Sequence, residues 1–192
     1  MATNPWKSFK SRYFEPVTAE GLRQVDPPRR ATVRRWEKAN DLALPDRFVD
    51  FICLLGPGDF TGTFTIAAPD GANAGPRCDL TTLNSDFHRY NPESQLREYH
   101  RDPESVLRMF AFGVTFRGDF VGWDTRHVTS SRPREYRVLL LSRAAEETDV
   151  IAETFEEFVN DWCLGNKYLR LSPEEQEDPE WAKRVYKAAY YL

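Results

Sequence analysis

The chain has 192 residues, of which 41% are hydrophobic and 14% aromatic, and its formal net charge is −4 at pH 7. This length suits one domain with extensions, and the apolar content excludes an intrinsically disordered chain. The negative net charge argues against generic nucleic-acid binding, so we expect nucleic acid not to be the partner.

Charge is distributed unevenly along the chain. Residues 1–40 carry nine basic and four acidic side chains, whereas residues 144–180 carry twelve acidic and two basic ones. The second segment predicts an acidic surface region. Such a surface serves either recognition of a basic partner or solubility alone, and the sequence leaves both interpretations open.

The cysteines and the hydropathy indicate a cytoplasmic protein. Cys53, Cys78 and Cys163 are far apart in sequence, and we expect free thiols rather than a disulfide framework. Residues 1–16 contain no apolar segment of the signal-peptide type, and no apolar run reaches the length of a transmembrane helix. The sequence therefore predicts a cytoplasmic protein without a membrane partner.

Residues 1–27 are predicted to be an N-terminal extension. Its aromatic side chains, such as Trp6 and Phe9, alternate with lysines and arginines. We expect the rings to pack on the body of the protein while the charges stay in water. The alternative is that residues 1–35 bind nucleic acid.

The stretch LALPDRFVDFICLLGPGDFTG, from Leu42 to Gly62, predicts a helix that ends at a sharp corner before a strand. Pro45 suits a first helical position, and Asp46 suits the positive end of the helix dipole. Gly56 and Pro57 end the helix at residue 55. Its predicted buried face comprises Phe48, Phe51, Ile52 and Leu55.

Other elements follow from periodicity and turn chemistry. A capping box from Thr154 to Glu157 opens a helix over 154–164, and an apolar stripe of Trp181, Val185, Ala188, Ala189 and Leu192 predicts a C-terminal helix. The remaining predictions are a helix over 28–40, a strand over 59–67, a loop over 69–76, two helices over 80–100 interrupted at Asn91-Pro92, a strand over 109–113, a hairpin or paired strand over 116–125 and a buried strand over 136–142.

This order separates helices from a run of strands and predicts an α+β single domain. We expect a mainly antiparallel β-sheet flanked by helices. The domain is predicted to span 28–165, with a C-terminal helical extension over 166–192 packed on it. The predicted core includes Phe48, Phe51, Ile52, Leu55, Leu139, Leu141, Phe155, Phe158 and Trp162.

Motifs of catalysis and metal binding are missing from the sequence. It contains no phosphate-binding loop, no dinucleotide fingerprint, no zinc-protease motif and no nucleophile elbow. His88 and His100 alone would make an incomplete metal site, so we predict neither a metal nor a cofactor. Asp119, Asp124 and His127 are the types that act as general acids and bases, but turn-capping is the simpler interpretation.

Three motifs together resemble the SUKH superfamily, a group of bacterial immunity proteins related to the yeast cell-wall synthesis regulator. The first is Leu44-Pro45-Asp46 with the following helix and the corner from Gly56 to Phe60; here Gly-Pro-Gly replaces the family's Asn-Gly-Gly. FGVTFRGDFVGWDT, residues 112–125, resembles the family's Gly-Asp strand, and DVIAETFEEFVNDW, residues 149–162, resembles its closing helix.

The resemblance implies a SUKH-like fold and a non-enzymatic protein-binding function. Proteins of this group typically neutralise a cognate secreted polymorphic toxin, often a nuclease, in the bacterial cytoplasm. A basic nuclease cleft would complement an acidic surface. Two alternatives stay open: a regulatory adaptor of the cell-wall-regulator type, and a small enzyme using Asp119, Asp124 or His127.

The predicted protein-binding residues are Asp59, Arg117, Asp119, Trp123 and Asp124. They lie at the corner after the second helix and along the predicted hairpin, and charged and aromatic side chains are common anchors of interfaces. If the sheet is packed on one face only, Trp123 and Asp124 point to opposite faces and cannot both be core. The alternative is that Trp123 fills the core and the acids cap turns.

Overall fold

The computed structural model describes residues 4–16, 18, 23–60, 63–71, 75–143, 147–168 and 184–191. The α-helices in these ranges are α1 (Trp6–Tyr13), α2 (Arg30–Ala39), α3 (Asp46–Leu55), α4 (Leu80–Tyr90), α5 (Glu93–Tyr99), α6 (Pro103–Leu107) and α7 (Phe155–Glu157), which continues as a π-helical segment, Phe158–Cys163. The strands are β1 (Phe14–Glu15), β2 (Arg23–Gln24), β3 (Gly58–Phe60), β4 (Phe64–Ile66), β5 (Met109–Thr115), β6 (Phe120–Ser131), β7 (Arg134–Leu141), β8 (Thr148–Ala152), β9 (Tyr186–Ala188) and β10 (Tyr190–Tyr191).

Eight of these strands form one sheet in the order β1-β9-β3-β4-β5-β6-β7-β8. The β1–β9 pair is parallel and the other pairs are antiparallel. Strands β2 and β10 form a separate antiparallel pair. The prediction of an α+β single domain with a mainly antiparallel sheet is therefore confirmed.

The predicted C-terminal helix is wrong over the described residues 184–191, which form β9 and β10. Strand β9 lies between β1 and β3, and the buried Tyr186 donates a hydrogen bond from its hydroxyl to the carbonyl of Gly56 (2.8 Å). This long-range pairing outweighs the helical spacing of Val185, Ala188 and Ala189. Trp181 and Leu192 of the predicted stripe lie outside the described residues.

Both termini thus contribute to the main sheet. Strand β1 comes from the predicted N-terminal extension and β9 from the predicted C-terminal one. Helix α1 buries Trp6 and Phe9 against α3, with the Trp6 ring 5.1 Å from that of Phe51, while Lys7 and Lys10 are exposed. For this helix, the prediction that the aromatic rings pack on the body of the protein while the charged groups stay in solvent is confirmed.

The glycine corner after α3 exists because the C-terminal strand packs directly against it. Gly56 has φ 78° and ψ −174°, a conformation that glycine alone adopts readily. A Cβ on Gly58 would lie 2.2 Å from the carbonyl oxygen of Lys187 in β9. The backbone N–H of Ala189 also donates to the carbonyl of Pro57 (2.9 Å). The corner is therefore a structural joint between α3, β3 and β9.

Helices cover both faces of the central strands. On one face, Trp123 of β6 stacks on Phe112 of β5 (4.4 Å) and contacts Phe48 of α3 (4.7 Å). On the other face, Phe120 of β6 contacts Phe87 of α4 (5.2 Å). Residues on both sides of these strands are consequently buried.

Most remaining predictions of elements and core residues are confirmed. The strand predicted over 59–67 is instead the hairpin β3–β4. Trp162 is half-buried, with its indole N–H donating to the carbonyl of Ile151 (2.7 Å), and the other eight predicted core residues are buried. The Thr154 hydroxyl accepts from the Glu157 N–H (3.1 Å), as the predicted capping box requires, whereas the Glu157 carboxylate accepts from Glu153 rather than Thr154.

A buried carboxylate, Glu135 at the start of β7, joins the N-termini of two helices. It accepts hydrogen bonds from the backbone N–H groups of Arg47 in α3 (3.3 Å) and Phe155 in α7 (3.1 Å). Burial raises the pKa of the Glu135 carboxyl above its ordinary value, although the hydrogen bonds from Phe155 and Arg47 oppose this rise. Both donors belong to N–H groups that a helix leaves unpaired at its N-terminus.

We expect Phe51→Ala to lower the free energy of unfolding by about 3–5 kcal/mol, because it leaves a cavity among buried rings. Phe51 is completely buried and contacts the rings of Phe60, Phe155 and Tyr186. Chemical denaturation monitored by circular dichroism measures the change. Tyr99→Ala, at an exposed ring, is the matched control and should change stability by less than about 0.5 kcal/mol. Equal losses for the two variants would contradict the packing described here.

Glu135 should also make stability depend on pH. Because its folded-state pKa is raised, its contribution is full below the pKa of the unfolded carboxyl and is lost as the pH rises through the folded-state pKa. We therefore expect wild type to lose stability relative to Glu135→Gln between acid and neutral pH, in denaturation curves measured across that range. Glu98→Gln, which makes the same substitution at an exposed carboxyl, is the surface control. A gain by wild type relative to Glu135→Gln as the pH rises would refute the raised pKa.

Candidate functional site

Trp123, a predicted binding residue, belongs to the core. Its side chain is 1% exposed and lies between Phe48 of α3 and the ring of Phe112. Its indole N–H has no hydrogen-bond partner among the described residues. In this conformation Trp123 cannot contact a partner, and it acts on any binding surface only by supporting the sheet.

Asp124 is buried as well, with 8% of its surface exposed. Its carboxylate accepts a hydrogen bond from the backbone N–H of Arg126 (3.2 Å) and lies 3.6 Å from Nε of Arg108. The inference that Trp123 and Asp124 cannot both be buried is wrong, because its premise of a sheet covered on one face does not hold. Helix α3 packs near Trp123, and the other face of β6 is also covered.

Asp119 organises the turn between β5 and β6. One carboxylate oxygen accepts from the hydroxyl of Thr115 (2.9 Å), and the other accepts from the backbone N–H of Arg143 (2.9 Å). The backbone N–H of Asp119 donates to the Thr115 hydroxyl (3.0 Å). This carboxylate therefore links the β5–β6 turn to the end of β7. Asp119 thus caps a turn, as the alternative prediction for the acidic residues expects.

Asp59 and Arg117 lie in different places. Asp59 is half-buried in β3, opposite Thr65 of β4 and Lys187 of β9. Arg117 is exposed in the β5–β6 turn, with its guanidinium 5.7 Å from the ring centroid of Phe116. Of the five predicted residues, Arg117 presents an exposed side chain at a cleft.

The proposed acid/base residues do not converge on a cleft. Asp119 lies in the turn, Asp124 is paired with Met109 across the sheet, and the exposed His127 contacts the guanidinium of Arg137 through Nε2 (2.9 Å). None of them lines either of the two clefts described below. In the described part of the chain, no three His, Cys, Asp or Glu side chains are grouped so that they could hold a metal ion.

The cysteines are free thiols with raised pKa values. Burial, with a smaller contribution from the charge of Asp59, raises the pKa of the Cys78 thiol to about 11. Burial also raises the pKa of Cys163 well above its ordinary value and, as the largest cause, raises that of Cys53. A thiol with a raised pKa carries little of the nucleophilic thiolate at neutral pH.

The larger cleft, of about 530 Å³, opens beside the β5–β6 turn. Leu83, Val114 and Phe120 form apolar lining, and Arg77, Asp86, Tyr90, Phe116, Arg117 and Arg143 contribute polar groups and rings. Sequence reasoning found Arg117 but missed Arg77 and Arg143. Exposed arginines carry no periodic signal, and only the fold brings residues this far apart in sequence to one cleft.

A second exposed feature is β8, the terminal strand of the main sheet. Asp149 and Val150 are exposed, and the Val150 side chain is 53% exposed. A smaller cleft of about 370 Å³ adjoins the strand and is lined by His100, Arg101, Asp102, Ser105, Arg137, Leu139, Glu147, Thr148, Asp149 and Val150. His100 is fixed by two hydrogen bonds: Nδ1 accepts from the backbone N–H of Asp102 (2.9 Å), and Nε2 bonds the Thr148 hydroxyl (2.8 Å).

The described segment around β8 is rich in acidic side chains, many of which are paired. Glu147 pairs with Arg101 (2.6 Å), and Glu153 lies 3.4 Å from Nε of Arg137. Asp149 makes no ion pair with any described residue. This edge therefore presents an acidic group next to an exposed valine.

No helix in the described ranges is both long and apolar enough to cross a membrane. No family model, no curated protein and no solved structure matches the chain. The resemblance to the SUKH superfamily therefore stays a prediction.

We expect Asp119→Ala to lower the free energy of unfolding by about 1–3 kcal/mol, because it removes charge-assisted hydrogen bonds to Thr115 and Arg143. Thermal and chemical denaturation measure the loss. Asp149→Ala, at an exposed and unpaired carboxylate among the described residues, is the control and should stay within about 0.5 kcal/mol of wild type. An unchanged stability for Asp119→Ala would show that the turn does not need this carboxylate.

Proposed function

We propose that the chain is a non-enzymatic protein-binding module of the cytoplasm, and that it acts as an immunity protein that neutralises a cognate secreted toxin. The observation that carries the proposal is the exposed edge strand β8, with Asp149 and Val150 at its surface. A rigid sheet covered by helices offers a stable frame for such a binding edge.

An edge strand binds proteins through its backbone. Those N–H and C=O groups of the edge that have no partner in the fold pair with an added strand, and neighbouring side chains select the partner. In β8 the carbonyl of Ile151 already accepts from the Trp162 indole, so the added strand would pair at Asp149 and Val150. Here Val150 supplies an apolar contact and Asp149 a negative charge, whereas the charges of Glu147 and Glu153 are compensated by their pairs with Arg101 and Arg137. Like charges along the edge disfavour pairing of two copies, whereas a basic partner is attracted.

The partner is proposed to be basic, and a nuclease toxin meets this requirement. Clefts that bind nucleic acid are positively charged because they neutralise phosphates. Electrostatic complementarity speeds association, which matters for an inhibitor that must act before the toxin does. The resemblance of residues 28–165 to immunity proteins of the SUKH superfamily supports the same partner class.

We expect the double variant Asp149→Lys/Val150→Lys to lose binding and protection together. Growth of cells that produce a toxin whose gene adjoins that of this chain is the first measurement, and isothermal titration with the purified toxin is the second. Reversing the edge charge and removing the apolar contact should weaken binding by at least about tenfold, since each energetically important contact contributes more than about 1 kcal/mol. Circular dichroism should show that the variant keeps its fold.

The matched control is Val128→Lys, at a valine that is 50% exposed on the β6–β7 hairpin. It should protect and bind as wild type does. Equal protection by both variants would exclude β8 as the binding surface. Tight binding of another protein without protection against the adjoining toxin would favour a regulatory adaptor instead.

A further inference from the structure

The larger cleft is lined by arginines and by side chains of the apolar core. Val114 and Phe120 come from the sheet and Leu83 from α4, while Arg77, Arg117 and Arg143 come from three separate loops or element ends. Its volume of about 530 Å³ lies within the range of about 300–1,000 Å³ typical of small-molecule sites. These residues are different from those of β8 on which the proposed function rests.

The guanidinium groups of two of the three arginines have no partner among the described residues. Arg77 and the side chain of Arg143 form no hydrogen bond or ion pair with any residue that the structure describes. The acidic lining residue, Asp86, is already paired with Arg89 (2.8 Å). The side-chain amide of Asn91 caps the carbonyl of Phe87 (2.9 Å) at the end of α4. Among the described lining residues, positively charged side chains therefore outnumber negatively charged ones, which favours an anion.

Two aromatic rings flank the same cleft. Tyr90 is 63% exposed and Phe116 is 45% exposed, both unusually high for large hydrophobic side chains. The Arg89 guanidinium lies 4.8 Å from the Tyr90 ring centroid, and that of Arg117 lies 5.7 Å from the Phe116 centroid. Exposed rings of this kind stack readily on planar bases.

We propose that this cleft binds a small nucleotide-type ligand, an organic phosphate that carries a planar heteroaromatic ring. Arg77 and Arg143 would hold the phosphates, because a guanidinium donates two parallel hydrogen bonds to phosphate oxygens. Phe116 or Tyr90 would stack on the ring. A concave site of this volume suits a small molecule better than an acidic loop of a protein, which needs a broader surface.

Isothermal titration of the full chain with ADP at physiological salt tests the proposal. We expect saturable binding, and Arg77→Ala/Arg143→Ala should weaken it at least about tenfold, because the variant loses two charge-assisted contacts to phosphate. The control, Arg126→Ala/Arg132→Ala, removes the same charge from two exposed hairpin arginines and should change binding less than about twofold, as expected for distant charges screened by salt. Phe116→Ala should weaken binding of ADP but not of pyrophosphate.

Adenosine and inorganic pyrophosphate separate the two halves of the ligand, and each should bind more weakly than ADP. Binding of pyrophosphate as tight as that of ADP would overturn the role of the rings. Equal losses in the two arginine variants, or no saturation by ADP, would overturn the site. A peptide of alternating glutamate and tyrosine that binds where ADP does not would identify the cleft as a contact for an acidic protein segment and also overturn the proposal. None of these results depends on whether a toxin is neutralised.

Discussion

The architecture depends on the buried carboxylate of Glu135. It joins β7 to the first turns of α3 and α7 by accepting from the N–H groups of Arg47 and Phe155. Two neighbouring contacts fix the same junction: the Arg134 N–H donates to the Asp46 carboxylate (2.7 Å), and the Tyr136 hydroxyl donates to the carbonyl of Ala43 (3.0 Å). Burying a charged carboxylate costs free energy, and the cost is larger when its oxygens lack hydrogen-bond donors. Loss of the first turn of either helix would remove one of the two N–H donors to Glu135.

The coverage of both sheet faces explains why two of the predicted binding residues, Trp123 and Asp124, are buried. In a strand that is covered on one face, alternate side chains reach solvent, and Asp124 would then be available to a partner. Here α4 covers the second face, and its Asn84 completes the backbone of β5 by accepting from the Ala111 N–H (2.9 Å) and donating to the Ala111 carbonyl (2.8 Å). The side-chain amide of Asn84 thus pairs with the β5 backbone at Ala111, beyond the residues that pair with β4. Acids and rings on β6 consequently serve the fold.

Sequence patterns within a few residues predicted several helices and their caps correctly, but they did not predict the pairing of strands that are far apart in sequence. The α3 face, the Thr154 cap and the break at Asn91 follow from spacing and capping residues that act within a few positions. The strand at Tyr186 depends on β1 and β3, and β3 is more than 120 residues away, so its apolar stripe read equally well as a helix. The cleft depends on the same kind of information. Arg77, Arg117 and Arg143 look like ordinary surface arginines until the fold brings them together.

Negative and positive side chains are concentrated on different surfaces of the protein. The β8 edge carries exposed or partly exposed carboxylates, whereas the cleft beside the β5–β6 turn carries guanidinium groups, two of which lack partners among the described residues. A net charge of −4 describes neither surface. Because a Debye length at physiological salt is about 8 Å, each surface attracts ligands through its own nearby charges. The proposed basic protein at the sheet edge and the proposed small anion in the cleft are therefore compatible with each other in one chain.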